Sequence, residues 1–538
     1  MKIPKKTLPH LPWLAAAAAA SVALIFAAYT GHMWEDFLIT FRSSLNLATG
    51  HGLVYQWGER VHSFTSPLGT LLPALFARSG ETGGAVQALW WFRVVSALAL
   101  GTGAYLVLQK LLEQRLAPVA IAAAVIALVL DPKIVDYSVN GMESAWVVMF
   151  VIITWLAFTN GARLLPVALA FAGLQWTRPD GCVFFGAIAA AWLFCGAPPG
   201  LTFPARGRAI VRGIALGALF YLPWVLIAWS YYGSPIPHTI TAKVSHYEPG
   251  EIPWALAVYP ARLLFSRAGL QEIFMPAEFL MGGWPASLLW VSRFIAVGAA
   301  MAWLVPGNRS GGRVASAAFF LGGFYVEIIP RSSWYYPGWQ VLGLVAWAYL
   351  LDVMLRTENR PRWVLAPIPS LGRIVALLLI IVQAALLPLV AWEMKTQQSI
   401  IENGNRRELG RWLRAQAAPG DRVYLEPLGY IGYYSGLKML DYPGLAAPAV
   451  VAARRAGFTT YAQIITHLKP EWLVLRPDQI QTIQAEQPEL LHRGYLVAQI
   501  FDARPKINAV NFLPGRGYVM FDALFVVFQR APAGPGAL

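Results

Sequence analysis

Charged residues and cysteine are both scarce in this chain. Asp, Glu, Lys and Arg make up 13% of its 538 residues, about half the share found in soluble proteins. The two cysteines, Cys182 and Cys195, lie in one apolar segment, which excludes a disulfide framework and a thiolate metal site. Apolar residues instead make up 57% of the chain, and the mean hydropathy is +0.51. The composition therefore predicts a polytopic, mostly α-helical membrane protein.

The apolar runs predict about eleven transmembrane helices. At 1.5 Å per residue, a helix of about 20 residues crosses about 30 Å of hydrocarbon. Residues 65–78 are apolar but too short for a crossing, so we expect an interfacial or re-entrant helix there. The candidate spans, some of which need flanking residues to reach full length, are 12–30, 85–109, 117–131, 142–158, 164–177, 181–196, 213–231, 284–304, 314–330, 339–355 and 373–392.

The loop charges predict the topology. With the N-terminus in the cytoplasm, Lys and Arg outnumber acids in the segments that fall inside, whereas acids outnumber Lys and Arg in those that fall outside. The positive-inside rule requires this asymmetry. The net charge of +14 is then explained by topology and by contact with anionic membrane lipids, and no nucleic-acid partner is predicted. We expect a multi-pass protein of the bacterial inner membrane.

The composition changes after the last predicted span. Residues 1–392 form the predicted transmembrane domain, and residues 393–538 are predicted to form a soluble α/β domain. The second segment has helical periodicity near 397–416. Eleven crossings from a cytoplasmic N-terminus place this domain in the periplasm. Short apolar runs predict four strands, at 422–425, 472–476, 494–500 and 520–528.

The outer loops carry acids, cations and aromatic residues on one side of the membrane. Each group has an ordinary structural explanation, as a helix cap, a tight turn or an interfacial aromatic belt. Their joint placement nevertheless favours a functional site. The residues in question are Glu35, Asp36 and Arg42 in the first outer loop, Glu143 in the second, Arg178 and Asp180 in the third, His238 and Lys243 in the fourth, and Arg331, Trp334, Tyr335 and Tyr336 in the fifth.

An ordered series of motifs runs through these loops. It consists of Glu35-Asp36-x-x-Ile39-x-x-Arg42, Gly50-x-Gly52, Thr65-Ser66-Pro67-Leu68, Gly141-Met142-Glu143-Ser144, Thr177-Arg178-Pro179-Asp180-Gly181, Tyr232-Gly233-x-x-x-Pro237-x-Thr239-x-x-x-Lys243 and Gly429-Tyr430-Ile431-Gly432. The series resembles the integral-membrane glycosyltransferases of the GT-C superfamily, and in particular the terminal arabinofuranosyltransferase type of mycobacterial cell walls. The resemblance covers residues 30–245 and resumes at Gly429.

This resemblance implies an enzyme that transfers a sugar, such as arabinofuranose, from a polyprenyl-phosphate donor at the outer face of the membrane. It implies that Asp36, with Glu35 beside it, is the catalytic carboxylate that acts on the acceptor hydroxyl. Family members often carry Asp-Asp where this chain has Glu35-Asp36, and often Asn where it has His238. The acceptor, which is a cell-envelope glycan, a lipid or a pilin-like protein, stays open.

The outer cations are the candidate ligands of the donor phosphate. A lipid-linked donor needs an apolar groove that ends in a cationic patch, and guanidinium groups suit phosphate geometry. A divalent metal between Asp36 and another acid would do similar electrostatic work, so no cofactor is assigned and metal dependence stays open. The phosphate-binding candidates are Arg42, Arg178, Lys243 and Arg331, with Arg93 in the outer half of its span as a further one. The substrate-binding candidates are His238, Glu143, Asp180, Trp334, Tyr335 and Tyr336.

Two other functions compete with sugar transfer. Transporters or flippases of lipid-linked sugars place ionisable groups near the bilayer midplane and show internal repeats. In this chain most candidate charges gather in the outer loops. An envelope scaffold would use the C-terminal domain to bind a partner. Of the three, only a transferase releases polyprenyl phosphate when it is given donor and acceptor.

Overall fold

The computed structural model describes residues 10–78, 83–196, 200–243, 250–265, 269–329, 332–356 and 369–532. Helices dominate the chain up to residue 416, and most of them contribute buried residues to one large apolar core. These helices are α1 (Leu11–Thr30), α2 (Glu35–Ala48), α3 (Pro67–Ala74), α4 (Gly83–Glu113), α5 (Pro118–Leu130), α6 (Pro132–Val139), α7 (Ser144–Thr159), α8 (Leu164–Thr177), α9 (Gly181–Ala191), α10 (Phe203–Tyr232), α11 (His238–Ala242), α12 (Ile252–Phe265), α13 (Leu288–Met301), α14 (Ser310–Ile328), α15 (Pro337–Leu355), α16 (Pro369–Thr396) and α17 (Arg407–Gln416).

The eleven predicted spans all overlap helices, but eleven crossings are not confirmed. Among the described residues, five helices are long and apolar enough to cross a membrane, and the bent pair of α5 and α6 would make a sixth. Several others, such as α7, α8 and α13, are apolar but have only 14 to 16 residues, which is short of the roughly 20 that a crossing needs. Hydropathy alone did not separate these shorter helices from full spans. The predicted short helix within 65–78 is α3, which has eight residues.

A chain reversal after α1 positions α2. Gly31 ends α1 with a positive φ of 64°, and its N–H donates to the Ala27 carbonyl, a conformation that favours glycine. Glu35 and Asp36 occupy the first turn of α2, where the helix dipole favours negative charge. The Trp34 N–H donates to the Asn140 carbonyl at 2.8 Å, so the start of α2 is anchored to the loop that precedes α7.

The C-terminal segment contains a five-stranded sheet together with helices, where the sequence predicts an α/β domain with four strands. Its order is β2-β1-β3-β5-β4, with β1 parallel to β2 and β3, and β5 antiparallel to β3 and β4. The prediction missed β2 and started the last strand four residues early. The strands are β1 (Arg422–Leu425), β2 (Lys438–Asp441), β3 (Trp472–Leu475), β4 (Tyr495–Asp502) and β5 (Leu524–Arg530). The helices of this segment are α18 (Leu428–Ser435), α19 (Pro448–Arg455), α20 (Tyr461–Leu468), α21 (Pro477–Glu486), α22 (Pro488–Gly494), α23 (Arg504–Asn508) and α24 (Arg516–Phe521).

The C-terminal segment is joined to the bundle without a linker. A π-helical stretch, Gln397–Arg406, connects α16 to α17, so residues 369–416 form one continuous helix. The predicted domain boundary at residue 393 lies within it. Helix α18 packs on α2, and the Gly429 N–H donates to Glu35 Oε1 at 3.0 Å. The sheet-bearing segment is therefore fixed directly against the start of α2.

Candidate active site

A cleft lies between the start of α2 and the loops on the same side of the bundle. Its empty volume, counted out to the open mouth, is about 630 Å³. Six segments that are separated in sequence and one residue of the C-terminal segment contribute to its walls. The lining residues are Asp36, Ile39, Thr40, Ser63, Phe64, Thr65, Ser66, Gly69, Gly141, Met142, Glu143, Arg178, Thr239, Lys243, Trp334 and Leu445.

Helix geometry separates the two adjacent carboxylates of α2. Successive helical residues point about 100° apart, so only one of the pair can face the cleft, as we expect from the sequence. Asp36 lines the cleft and is partly exposed. Glu35 instead faces the C-terminal segment, where its Oε2 lies 3.0 Å from Arg406 Nη1. Glu35 therefore holds two parts of the protein together, and Asp36 is the carboxylate left for chemistry.

The surroundings of Asp36 favour its neutral form more than water does. Burial, and after it the neighbouring Glu35 carboxylate, raises the pKa of Asp36 from 3.8 to about 6, whereas Lys243 and Arg178 act in the opposite direction. A carboxylate with a pKa near 6 is still mostly ionised at pH 7. It is also a stronger base than an ordinary aspartate, which suits it to accept a proton.

Arg178 is held rigidly on the wall of the cleft. Its Nη1 donates to Glu143 Oε1 at 2.8 Å, and its Nε donates to Asp180 Oδ1 at 2.8 Å. Asp180 is held in turn by the Tyr325 hydroxyl, which donates to Oδ2 at 2.8 Å. The Arg178-Pro-Asp-Gly turn is thus more than a chain reversal, because it fixes a buried guanidinium in one orientation.

Lys243 completes the cationic side of the cleft. It follows the short helix α11, and its Nζ donates to the Tyr335 hydroxyl at 2.7 Å. The ring of Tyr335 also lies 4.5 Å from the Arg178 guanidinium carbon. One tyrosine therefore contacts both cations. An ammonium has three donors, so Lys243 keeps hydrogen-bonding capacity for a ligand.

Two other predicted phosphate ligands, Arg42 and Arg93, lie outside the cleft. Arg42 donates to the carbonyls of Gly432, Gly436 and Leu437, and it stacks on Tyr55. Arg93 donates from Nε to the Val139 carbonyl and from Nη2 to the His32 carbonyl. Both arginines thus hold backbone segments in place.

Four further candidates remain to be located: His238, Arg331, Trp334 and Tyr336. The Tyr336 hydroxyl donates to Glu272 Oε2 at 3.1 Å in a separate pocket. The His238 N–H donates to the His62 carbonyl, and its neighbour Thr239 reaches the cleft instead. Trp334 lines the cleft, and its ring centroid lies 5.7 Å from that of Trp34. The predicted phosphate ligand Arg331 lies outside the described residues.

Several hydroxyl-bearing residues of the cleft were not singled out as site residues. Thr40 lines the cleft one helical turn after Asp36, and Ser63, Thr65 and Ser66 of the segment that leads into α3 line it as well. Ser66 also caps α3, where its Oγ accepts from the Gly69 N–H at 2.8 Å. Thr65 and Ser66 belong to the Thr65-Ser66-Pro67-Leu68 motif, which is the sequence signal that points to this wall of the cleft.

The described residues contain no group of three or more His, Cys, Asp or Glu side chains arranged to hold a metal ion. Asp36 and Glu143 are the two carboxylates that line the cleft. Any divalent ion there would need further ligands from phosphate or water, which is common for Mg²⁺. Metal dependence therefore stays open.

Comparison with known proteins gives two curated relatives of the same kind. The terminal β-(1→2)-arabinofuranosyltransferase of Corynebacterium glutamicum is 30% identical over 269 residues, which is 44% of this chain and 37% of the relative. The enzyme of that name from Mycobacterium tuberculosis is 27% identical over 237 residues, which is 39% of this chain and 34% of the relative. The chain thus matches little more than a third of the length of these relatives.

This chain is also similar to a solved structure and matches one family model. The crystal structure of ArnT from Cupriavidus metallidurans in the apo state aligns with a TM-score of 0.50 and 14% identity, over 96% of this chain and 97% of ArnT. At that identity the likeness shows the fold. Residues 393–521 match a family model described as a domain of unknown function, DUF8728. The resemblance to terminal arabinofuranosyltransferases, which the motifs predict, is confirmed by the two curated relatives.

Proposed function

We propose that this protein transfers a sugar from a polyprenyl-phosphate donor to a cell-envelope acceptor, in the cleft lined by Asp36, Arg178 and Lys243. The observation that carries the proposal is the pairing of one carboxylate of raised pKa with two cations across a single cleft. The curated relatives are arabinofuranosyltransferases, which supports glycosyl transfer and suggests a pentofuranose such as arabinofuranose as the sugar. The acceptor stays a glycan, a lipid or a pilin-like protein.

The proposed reaction is a single displacement at the anomeric carbon. The acceptor hydroxyl oxygen forms the new glycosidic bond while its proton passes to an Asp36 carboxylate oxygen. The bond between the anomeric carbon and the phosphate oxygen breaks with its electron pair, so polyprenyl phosphate leaves with an added negative charge. Attack and departure on opposite faces give inversion. The transition state carries partial positive charge on the sugar, which the nearby Asp36 carboxylate stabilises.

Lys243 is the proposed first ligand of the donor phosphate. Arg178 already binds two carboxylates, Glu143 and Asp180, which offset its charge. Lys243 makes a hydrogen bond to a neutral phenol, so its charge is available to neutralise the leaving phosphate. Arg178 then serves mainly to hold Tyr335 and Glu143 in place, and it adds positive potential behind Lys243.

Because the proposed donor is a lipid, the protein must work in a membrane. We propose that the cleft and the C-terminal segment lie on the outer face of the inner membrane, as the loop charges predict. A lipid-linked donor would then bring its phosphate to the cleft from the bilayer surface while its polyprenyl chain stays among the helices. The apolar surface of the span α10, where Leu219, Leu226 and Trp229 are more than half exposed, is the kind of surface such a chain requires.

The test separates transfer from transport. Purified protein is incubated with a polyprenyl-phosphate pentofuranose donor and with membranes that lack this protein as the acceptor source, and free polyprenyl phosphate is quantified by mass spectrometry. Transfer predicts release of polyprenyl phosphate in proportion to labelled sugar found in the acceptor fraction. A transporter or flippase would move intact donor across sealed vesicles and release none. Asp36→Asn serves as the inactive control.

A further inference from the structure

A second polar pocket lies apart from the cleft, and none of its lining residues lines the cleft. It is formed where α1 ends, α4 begins and α16 passes into its π-helical continuation. Its empty volume, counted to the open mouth, is about 760 Å³. Because α1, α4 and α16 include three of the helices that can cross a membrane, this pocket lies at the membrane surface that carries α2 and the C-terminal segment.

The lining of this pocket is basic. None of the described residues that line it is acidic. This composition is unlike that of the cleft, where Asp36 and Glu143 accompany the cations. The polar side chains of the second pocket are Arg93, Lys395, Arg407, Gln398, Asn403 and Ser399, together with the hydroxyls of Thr30 and Tyr434.

The three cations keep a net positive charge. Arg93 is 2% exposed and donates to two carbonyls, which are neutral partners. Lys395 lies over the Tyr29 ring at 4.1 Å and makes no ion pair with the described residues. Arg407 Nε lies 3.4 Å from Glu408, but that carboxylate is shared with Arg411. The acids that act on these cations, Glu408 on Arg407 and Asp136 on Arg93, are fewer than the cations and do not line the pocket, so the pocket attracts an anion.

An apolar stripe leads from this pocket along the membrane span α4. Val86, which lines the pocket, is followed at intervals of four residues by Trp90, Val94 and Leu98. These side chains are 42%, 37%, 37% and 60% exposed. Residues four apart lie on one face of a helix, so the stripe is continuous. A ligand that fits both features has an anionic head and a hydrocarbon chain.

We infer that this pocket binds the headgroup phosphate of an anionic phospholipid, whose acyl chain follows the stripe on α4. Basic pockets between membrane helices are known sites for acidic lipid headgroups. A soluble anion would bind to the cations, but it has no hydrocarbon chain that could pack on the stripe. A zwitterionic lipid would use the stripe, but its own positive charge would meet Lys395 and Arg407.

The test is lipid binding to the purified full chain, followed by native mass spectrometry. Phosphatidylglycerol, phosphatidylcholine and inorganic phosphate are the three probes, each titrated over the same concentrations. The variant is Lys395→Gln with Arg407→Gln, which spares the structural Arg93. The matched control is Arg411→Gln with Arg493→Gln, which removes the same two charges at side chains that are 42% and 81% exposed and lie outside the pocket.

The expected result is a phosphatidylglycerol adduct that the Lys395 and Arg407 variant binds at least tenfold more weakly and the control binds normally. Equal phosphatidylglycerol binding by both double variants would overturn the inference. Equal binding of phosphatidylcholine would overturn the requirement for an anionic head. Displacement of phosphatidylglycerol by the same concentration of inorganic phosphate would identify a free-anion site instead. Size-exclusion profiles of all variants establish that each one is folded.

Discussion

Neighbouring substitutions in α2 should change stability in opposite directions. Asp36→Asn removes a carboxylate whose pKa is raised from 3.8 to about 6. Because the folded pKa is the higher one, the folded state binds the proton more tightly, and stability falls as the pH rises from about 4 to about 6. At pH 7 the ionised side chain costs about 3 kcal/mol at most, since one pKa unit is about 1.4 kcal/mol. Solvent in the open cleft reduces that, so we expect Asp36→Asn to stabilise the fold by about 1–2 kcal/mol.

Glu35→Gln should act in the opposite direction. The substitution keeps an oxygen that can accept from the Gly429 N–H but removes the charge that pairs with Arg406 at 3.0 Å. Arg406 retains Glu402 and Asp522 as partners, so the loss is that of one charged hydrogen bond, about 1.5–3 kcal/mol. We therefore expect Glu35→Gln to weaken the attachment of the C-terminal segment to α2 and to lower the thermal midpoint.

The assay pairs two measurements on each variant at pH 7. Intrinsic fluorescence during heating gives the thermal midpoint, and release of polyprenyl phosphate gives the turnover of folded protein. Asp36→Asn should be as stable as the unaltered protein or more stable, with turnover at least about 100-fold lower, the usual scale for loss of a general base. Glu35→Gln should be less stable, with turnover reduced far less. Normal turnover in Asp36→Asn together with its loss in Glu35→Gln would refute the assignment.

Further predictions concern Lys243 with its partner Tyr335, the carboxylate Glu143, and the topology. Lys243→Gln should raise the KM for donor about 10- to 100-fold, from the loss of a charged hydrogen bond, and Tyr335→Phe should raise it less; steady-state kinetics with both variants distinguish the two effects. Glu143→Gln removes one negative charge that raises the pKa of Asp36, so the acid limb of its pH profile should move to lower pH. In a protein with both native cysteines replaced, Gly207→Cys should react with an impermeant maleimide only after the membrane is permeabilised; labelling of intact cells would reverse the topology and remove the cleft from the outer face.

The sequence predicted that one carboxylate of the acidic pair in α2 would face the cleft and the other would not. The 100° step between Glu35 and Asp36 allows one of them to face a cleft, and the motif resemblance favoured Asp36. The partners of Glu35 could not be predicted, because Gly429 and Arg406 are more than 370 residues away in the chain. The same holds for Arg42, whose acceptor carbonyls belong to α18 and the residues after it. The sequence shows that an arginine is present, but only the folded structure shows which carbonyls accept its hydrogen bonds.

Element types were easier to predict than their place relative to the membrane. Hydrophobic periodicity and hydropathy correctly predicted helices at all eleven candidate spans, and they predicted strands at β1, β3 and β4. Strand β2, Lys438–Asp441, is short and has a charged residue at each end, so its apolar signal is weak. Eleven crossings are not confirmed, because a helix of 14 residues such as α8 is apolar but shorter than a full crossing needs. Helices that are buried inside a bundle and helices that face lipid have similarly apolar sequences.

The pH dependence of polyprenyl phosphate release tests the central claim most directly. If Asp36 accepts the proton of the acceptor hydroxyl, its ionised form is the active one, and a pKa of about 6 predicts a rate about tenfold lower at pH 5 than at pH 7. Asp36→Asn should show a low rate that changes little over this interval. An acid limb that persists unchanged in Asp36→Asn at a comparable rate would show that another group is the base and would contradict the proposed mechanism.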